Sequence, residues 1–165
     1  MKLGAFFFEI LPLLAFFVGY QYFGLIAAAA LSVGCGALVL AIAWTRERRM
    51  AAFPLFSLAM SAAFTAVAWW GGDGFFIKIQ PTIFNGLFAA VLLGGWLAGR
   101  AMMRVFFERQ FFLTDDTWRR LSFRWGCFFL ILAVANEIVW RGFSEAEWVF
   151  YKTFIAAPAS FAFMM

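Results

Sequence analysis

Long apolar stretches, interrupted by short polar segments, run along almost the whole chain. As a single helix, the first charge-free stretch, Ile10–Thr45, would far exceed the about 30 Å of a bilayer core at about 1.5 Å per residue. We therefore expect a break within Gly19–Gly24, where two glycines flank polar-tipped aromatic residues. The apolar runs predict full membrane spans at about 22–44, 50–70, 81–99, 125–140 and 148–165.

The segment before the first full span, Leu3–Val18, is apolar but carries Glu9 and Pro12. A carboxylate inside the bilayer costs about 2.5–3.5 kcal/mol, and a helix of this length is marginal for a crossing. We interpret the segment as interfacial or re-entrant, with a sixth span as the alternative. In the third full span, Pro81 is predicted to occupy the first helical turn, where its missing N–H costs nothing.

The composition agrees with a membrane protein. The chain has 165 residues, of which 65% are hydrophobic and 13% are charged, whereas soluble domains are about 45–50% apolar and about 25% charged. The predicted fold class is an all-α, polytopic integral membrane protein with five transmembrane helices and the N-terminal interfacial or re-entrant segment, forming one membrane domain over residues 1–165. The net charge of +4 is assigned to membrane-protein loops rather than to nucleic-acid binding.

Several classes of chemistry are missing from the sequence. There is no histidine, which excludes the Ser-His-Asp triad and the HExxH metalloprotease motif. Cys35 and Cys127 lie in apolar runs and form no CxxC pair. No residues have the spacing of metal ligands or of a nucleophile and its base. We therefore expect no catalytic residue, no cofactor and no bound metal.

The positive charges predict an orientation. The Arg46–Arg49 segment has three arginines and one acid, and the 100–124 segment has six arginines and three acids. These two segments hold nine of the 13 lysines and arginines and would face the same side, so the positive-inside rule makes that side cytoplasmic. The 100–124 segment is then a cytoplasmic loop, and the C-terminus of the fifth span is also cytoplasmic.

Two further patterns concern the helix surfaces. Six of the eight tryptophans are predicted to mark the membrane interfaces, because they stand at proposed span ends: Trp44, Trp69, Trp70, Trp125, Trp140 and Trp148. Small residues recur every fourth position in three spans: Ala28, Ser32 and Gly36; Ser57, Ser61 and Thr65; Gly86, Ala90 and Gly94. Such faces favour close helix packing within the chain, with a homo-oligomer interface as the alternative.

Asn136 and Glu137 form the clearest polar interruption of a span. Glu137 precedes Arg141 by four residues, so the two side chains can meet on one helix face. This is predicted to be an interfacial ion pair, and the alternative is a functional polar site facing the bundle interior. Asn85, about one turn into the third span, is the other candidate for such a site.

Cationic residues supply the remaining candidates. Lys78 and Lys152 are predicted to snorkel to lipid headgroups near the outer edge, and the alternative is contact with anionic lipid or a partner.

Arg100 and Arg104 are predicted to continue the third helix into the cytoplasm, and Thr114 or Asp115 is predicted to cap a new helix. That helix carries Trp118, Arg119, Arg120 and Arg124. Its arginines are predicted to set the orientation of the chain in the membrane, and the alternative is that they bind anionic lipid or protein.

Several motifs match one known family along nearly the whole chain. The run Phe76-Ile77-Lys78-Ile79-Gln80-Pro81-Thr82 resembles an F-x-K-x-x-P-T motif. Other matching blocks are Glu9-Ile10-Leu11-Pro12-Leu13, Leu113-Thr114 with Trp118 and Arg124-Trp125, Ala135-Asn136-Glu137 with Trp140-Arg141, and Trp148 with Lys152. These blocks are similar to those of the intracellular septation protein A family of bacterial membrane proteins.

The resemblance implies a five-span protein of the bacterial cytoplasmic membrane, associated with septation, cell division and envelope integrity. It carries over no catalytic residue and no cofactor. We therefore predict a non-enzymatic protein that contacts membrane lipids and other division or envelope membrane proteins. The alternative is a small transporter or lipid-handling protein with a polar site around Asn136 and Glu137, joined by Asn85.

Overall fold

The computed structural model describes residues 3–47, 52–107 and 112–164, and in this part all regular secondary structure is helical. The helices are α1 (Leu3–Phe23), α2 (Leu25–Glu47), α3 (Ala52–Gly71), α4 (Phe75–Leu97), α5 (Met102–Phe107), α6 (Asp115–Gly142), α7 (Glu145–Tyr151), a π-helical turn (Lys152–Ala156) and α8 (Ala157–Met164). The predicted all-α class is therefore confirmed.

Three of these helices are long and apolar enough to cross a membrane: Leu25–Thr45, Phe75–Leu97 and Asp115–Gly142. Ile10–Phe23 and Leu55–Gly71 are shorter apolar helices. The chain divides into two compact units, one made of Met1–Gln80 with Glu145–Met165 and the other of Pro81–Ser144.

In the first unit, α1 and α2 form a tight hairpin. The predicted break falls at Gly24, whose φ of +81° is the left-handed conformation that glycine adopts without strain. The helices approach closely beside Gly19, because a Cβ there would lie 3.1 Å from the Cα of Ala28. Further along the hairpin, the Ser32 hydroxyl donates a 2.8 Å hydrogen bond to the Pro12 carbonyl.

The helix α1 is longer than the predicted segment Leu3–Val18. It continues to Phe23 without interruption and has Pro12 in its interior. The hydrogen bond from Ser32 shows that α1 runs beside α2 at least as far as Pro12. The interfacial or re-entrant placement of this segment is not confirmed.

The start of α4 differs from its prediction. Gly72, with φ +65°, turns the chain, and the Asp73 carboxylate accepts a 2.9 Å hydrogen bond from the Phe75 amide. This bond satisfies a free donor of the first turn, so the helix begins at Phe75 rather than near residue 81. Pro81 therefore lies inside α4, and its predicted place in the first turn is wrong.

The end of α4 also corrects a prediction. Gly99 has φ +77°, and the Arg100 amide donates a 2.8 Å hydrogen bond to the Gly95 carbonyl, which closes the helix. Arg100 and Arg104 therefore do not continue this helix. Arg104 instead lies on the separate short helix α5.

The predicted start of α6 is confirmed. Thr114 is its N-cap, and the hydroxyl accepts a 3.4 Å hydrogen bond from the Thr117 amide. Asp115 and Asp116 in the first turn suit the positive end of the helix dipole. The helix then runs unbroken to Gly142, so the lead-in to the predicted fourth span is helical.

Within the second unit, α4 and α6 contact each other through small and aromatic residues. A Cβ at Gly126 would lie 2.7 Å from the Leu93 side chain, so only glycine permits this approach without a shift. The Phe88 and Phe129 rings pack with centroids 5.4 Å apart. The helix α5 attaches to α6 through Ser122, whose buried hydroxyl accepts from the Met103 amide at 3.0 Å.

Candidate functional site

An ion pair joins two segments of the first unit. The Lys78 ammonium lies 2.9 Å from the Glu145 carboxylate, at the start of α7. Glu145 also accepts a hydrogen bond from Tyr20, in the last turn of α1. Burial, followed by the negative charge of Glu145 and this hydrogen bond, raises the pKa of the Tyr20 phenol above its usual value. Lys78 is thus held by a carboxylate and is not the lone snorkelling cation predicted.

The same end of this unit brings together turns that are distant in sequence. A Cβ at Gly74, in the turn before α4, would lie 2.7 Å from the Leu25 side chain and 3.9 Å from the Glu145 carboxylate. Leu25 begins α2 and Glu145 begins α7. The start of α2, the turn before α4 and the start of α7 therefore meet at one end of the unit.

Lys152 also differs from its prediction. It follows Trp148 by one helical turn and begins the π-helical segment. Its ammonium lies 4.0 Å from the centroid of the Phe16 ring and 5.2 Å from that of Trp148. The charge is therefore held by aromatic faces rather than directed to lipid headgroups. Trp148 is fully buried, so its ring packs inside the protein, and its position at a membrane interface stays a prediction.

In the second unit, a polar cluster links α4 to α6. The Asn136 amide nitrogen donates to the Thr82 hydroxyl at 2.9 Å, and Thr82 also hydrogen-bonds Glu137. Glu137 accepts from the Trp140 indole at 2.9 Å and pairs with Arg141 at 2.6 Å. The predicted ion pair between residues 137 and 141 is confirmed. We call Thr82, Asn136, Glu137, Trp140 and Arg141 the Thr82–Arg141 cluster.

Most hydrogen-bonding groups of the cluster are paired with other members of the cluster. Asn136 is only 2% exposed, and both carboxylate oxygens of Glu137 accept hydrogen bonds. Asn85 is half-exposed, almost one turn further along α4 than Thr82, and takes no part in these hydrogen bonds. The structure thus joins two of the three predicted polar residues and leaves the third outside the cluster.

The predicted arginine-rich surface forms on the first turns of α6. Trp118 is buried, whereas Arg119, Arg120 and Arg124 are exposed. The Arg119 guanidinium lies 5.9 Å from the centroid of the Trp96 ring. Arg120 pairs with Asp116 at 2.8 Å. These arginines, with Trp96, Asp116 and Phe123, line an open groove.

Sequence reasoning missed three participants in these contacts. Glu145 and Tyr20 gave no signal beyond their positions near predicted turns on the same membrane side. Phe16 looked like any other apolar residue of the first segment. Only its contact with the Lys152 ammonium distinguishes it.

Among the described residues, no group of three or more His, Cys, Asp or Glu side chains is placed to hold a metal ion. Cys35 and Cys127 are both free thiols of intermediate exposure. The Thr82–Arg141 cluster and the Lys78–Glu145 ion pair connect polar side chains to one another within each unit. Together with apolar helices long enough to cross a bilayer, they define the class of the molecule: a membrane protein that is helical in its described part and in which several polar groups fasten helices together.

Comparison with known proteins identifies the family. The model of the intracellular septation protein A family matches residues 4–165. The inner membrane-spanning protein YciB of Brucella anthropi is 41% identical over 138 residues, which cover 84% of this chain and 63% of that protein. The corresponding proteins of Brucella melitensis and Sinorhizobium fredii are 40% and 41% identical over the same share of this chain, covering 69% and 66% of their lengths.

The chain belongs to the intracellular septation protein A family. The resemblance seen in the sequence motifs is thereby confirmed. The aligned region spans less than two thirds of the Brucella anthropi relative. No solved structure matches the chain.

Proposed function

We propose that this chain is a non-enzymatic inner-membrane component of bacterial septation and envelope integrity that acts through contacts with other membrane proteins. The family name and the names of the relatives support a place in the inner membrane and a link to septation. The observation that favours this role over transport is the Thr82–Arg141 cluster. Its polar groups are used to fasten α4 to α6 rather than to line an open path.

The outward face of α6 offers a surface for such contacts. Ile131 and Ile138 are 63% and 60% exposed, and Val134 between them is also exposed. The spacing of three and four residues places them on one helix face. In a bilayer this apolar face meets either lipid tails or the helix of another membrane protein, and we propose the second.

Site-specific photo-cross-linking in dividing cells tests this contact. A photoreactive residue at position 131 or 138 should give discrete protein adducts. The same probe at Val18, an exposed apolar residue of α1, is the matched control and should give a different pattern. Adducts with lipid alone at positions 131 and 138, or the same adducts at all three positions, would contradict the proposal.

The transport alternative draws on one observation, the burial of the Asn136 amide within an apolar helix. Against it, Glu137 has both oxygens occupied and Asn85 stands outside the cluster. Purified protein in vesicles decides between the two. Our proposal expects no ion flux or lipid movement above that of empty vesicles, whereas flux abolished by Glu137→Gln would establish transport.

We also propose five crossings, formed by α2, α3, α4, α6 and the helical run Glu145–Met164, with the C-terminus in the cytoplasm. The last run is about 30 Å long at about 1.5 Å per residue, close to the core thickness. The meeting of the turns near Leu25, Gly74 and Glu145 at one end supports this arrangement, because all three would lie outside. Reporter fusions at residues 48, 73, 110 and 145 should alternate inside, outside, inside, outside, and another order would contradict it.

A further inference from the structure

The arginine-bearing groove of the second unit combines two chemical surfaces. It is an open groove of about 420 Å³ formed by Trp96 at the end of α4 and by the first three turns of α6. The Trp96 and Phe123 rings stack with centroids 4.8 Å apart and make an aromatic wall. The rest of the lining is Asp116, Arg119, Arg120 and Arg124.

The charges of the groove favour an anion. Three guanidinium groups face one carboxylate, that of Asp116. Asp116 pairs with Arg120, but these side chains are 72% and 77% exposed, so water and salt weaken the pair. Arg119 stacks near the Trp96 ring, a contact that leaves its N–H donors available. Guanidinium groups bind phosphate through paired, charge-assisted hydrogen bonds.

The position of the groove indicates where that phosphate comes from. Arg124 directly precedes Trp125, where the apolar part of α6 begins, and Trp96 stands at the end of the apolar part of α4. Leu97, next to Trp96, is strongly exposed, and Phe123 is exposed as well. A ligand in the groove therefore has guanidinium groups on one side and apolar surface beside it. This combination matches a lipid headgroup above its acyl chains.

We propose that the groove binds the phosphate-bearing headgroup of an anionic phospholipid, with Arg119 and Arg124 as the principal donors to the phosphate. Trp96 and Phe123 contact the glycerol and the upper acyl chain. This lipid site goes beyond the proposed contacts with membrane proteins, which use the outward face of α6 around Ile131 and Ile138.

Native mass spectrometry of the full chain in mild detergent tests the site. Phosphatidylglycerol is titrated against phosphatidylcholine for the wild type and for R119Q/R124Q. The control is R100Q/R104Q, which removes the same charge from the same predicted membrane side, outside the groove. Arg104 pairs with Asp115 at 2.6 Å, but both side chains are mostly exposed, so the loss of this pair should change α6 little. We expect the wild type to prefer phosphatidylglycerol, R119Q/R124Q to lose about 10-fold or more in affinity, and R100Q/R104Q to stay within about 2-fold. R119K/R124K keeps the charge but lacks the paired guanidinium donors, so it should bind more weakly than the wild type and more tightly than R119Q/R124Q.

Four results would overturn the proposal. One is a wild type without preference for phosphatidylglycerol, and another is an equal loss in both glutamine variants, which would indicate charge alone. The third is displacement of the lipid by millimolar inorganic phosphate, which would make the site one for free phosphate. A protein partner that is lost with R119Q/R124Q while the lipid preference is unchanged would also assign the groove to protein binding. The cross-linking at residues 131 and 138 is independent of all these outcomes.

Discussion

Replacing Thr82 by valine should loosen the attachment of α4 to α6. Valine keeps the shape of threonine but removes the hydroxyl that accepts from Asn136 at 2.9 Å and also hydrogen-bonds Glu137. A buried polar group left without its partner costs about 1–3 kcal/mol in soluble proteins, and hydrogen bonds between membrane helices contribute about 0.6 kcal/mol on average. Asn136 and Glu137 each keep another polar contact. We therefore expect a loss of about 1 kcal/mol in the free energy of unfolding.

The assay is reversible unfolding in mixed micelles, followed by helix content. Thr82→Ser restores the hydroxyl and should recover most of the loss. Asn85→Leu is the matched control on the same helix, because Asn85 takes no part in the cluster, and it should change stability by less than about 0.5 kcal/mol.

A double-mutant cycle isolates the contact itself. Thr82→Val combined with Asn136→Leu should cost less than the sum of the two single changes, with a coupling energy of about 0.5–1 kcal/mol. This expectation would be refuted if the two changes were additive. It would also be refuted if Thr82→Val were as mild as Asn85→Leu, since the hydroxyl would then contribute nothing to the packing of α4 on α6.

Further expectations follow for the same unfolding assay. Gly126→Ala should destabilise by about 1–3 kcal/mol, because its Cβ would lie 2.7 Å from a leucine side chain, whereas Gly86→Ala, with no atom within 4 Å of its Cβ, should be neutral or stabilising. Gly24→Ala should cost about 1–2 kcal/mol from backbone strain alone, since its φ is +81° and its surroundings are open. Thr153→Val should be neutral or stabilising, because the buried Thr153 hydroxyl has no hydrogen-bond partner in the described part of the chain. A loss above about 1 kcal/mol would contradict this.

The apolar pattern predicted the helices well but their ends less well. The first apolar stretch is longer than the bilayer core is thick, which required a break in the helix. Gly24 provides this break with its left-handed φ. Pro81 was misplaced because hydropathy does not register the hydrogen bond from the Phe75 amide to Asp73, which lets α4 begin earlier. Likewise, the predicted continuation of the helix through Arg100 and Arg104 is wrong because Gly99, with its left-handed φ, ends the helix.

The site shows the same division between local and distant contacts. Glu137 and Arg141 were predictable because helix geometry alone brings residues four apart together. The partners Thr82 and Asn136 are 54 residues apart, and no rule of local spacing connects them. The partners of the two lysines also depend on the tertiary fold. Lys78 meets a carboxylate, while Lys152 meets aromatic rings.

Substitutions of two kinds of polar residue in this chain should therefore have different effects, one on folding and the other on binding. Thr82, Asn136 and Glu145 bond other parts of the chain, so their loss leaves a polar partner without its bond and lowers the amount of folded protein. Arg119 and Arg124 are exposed and make no hydrogen bond or ion pair within the described part of the chain. Their loss leaves the fold intact and removes only what they bind. Each variant should therefore be measured for both protein abundance and septation. A residue that holds the helices together lowers the abundance when it is replaced, whereas a residue that contacts the membrane or a partner impairs septation at normal abundance.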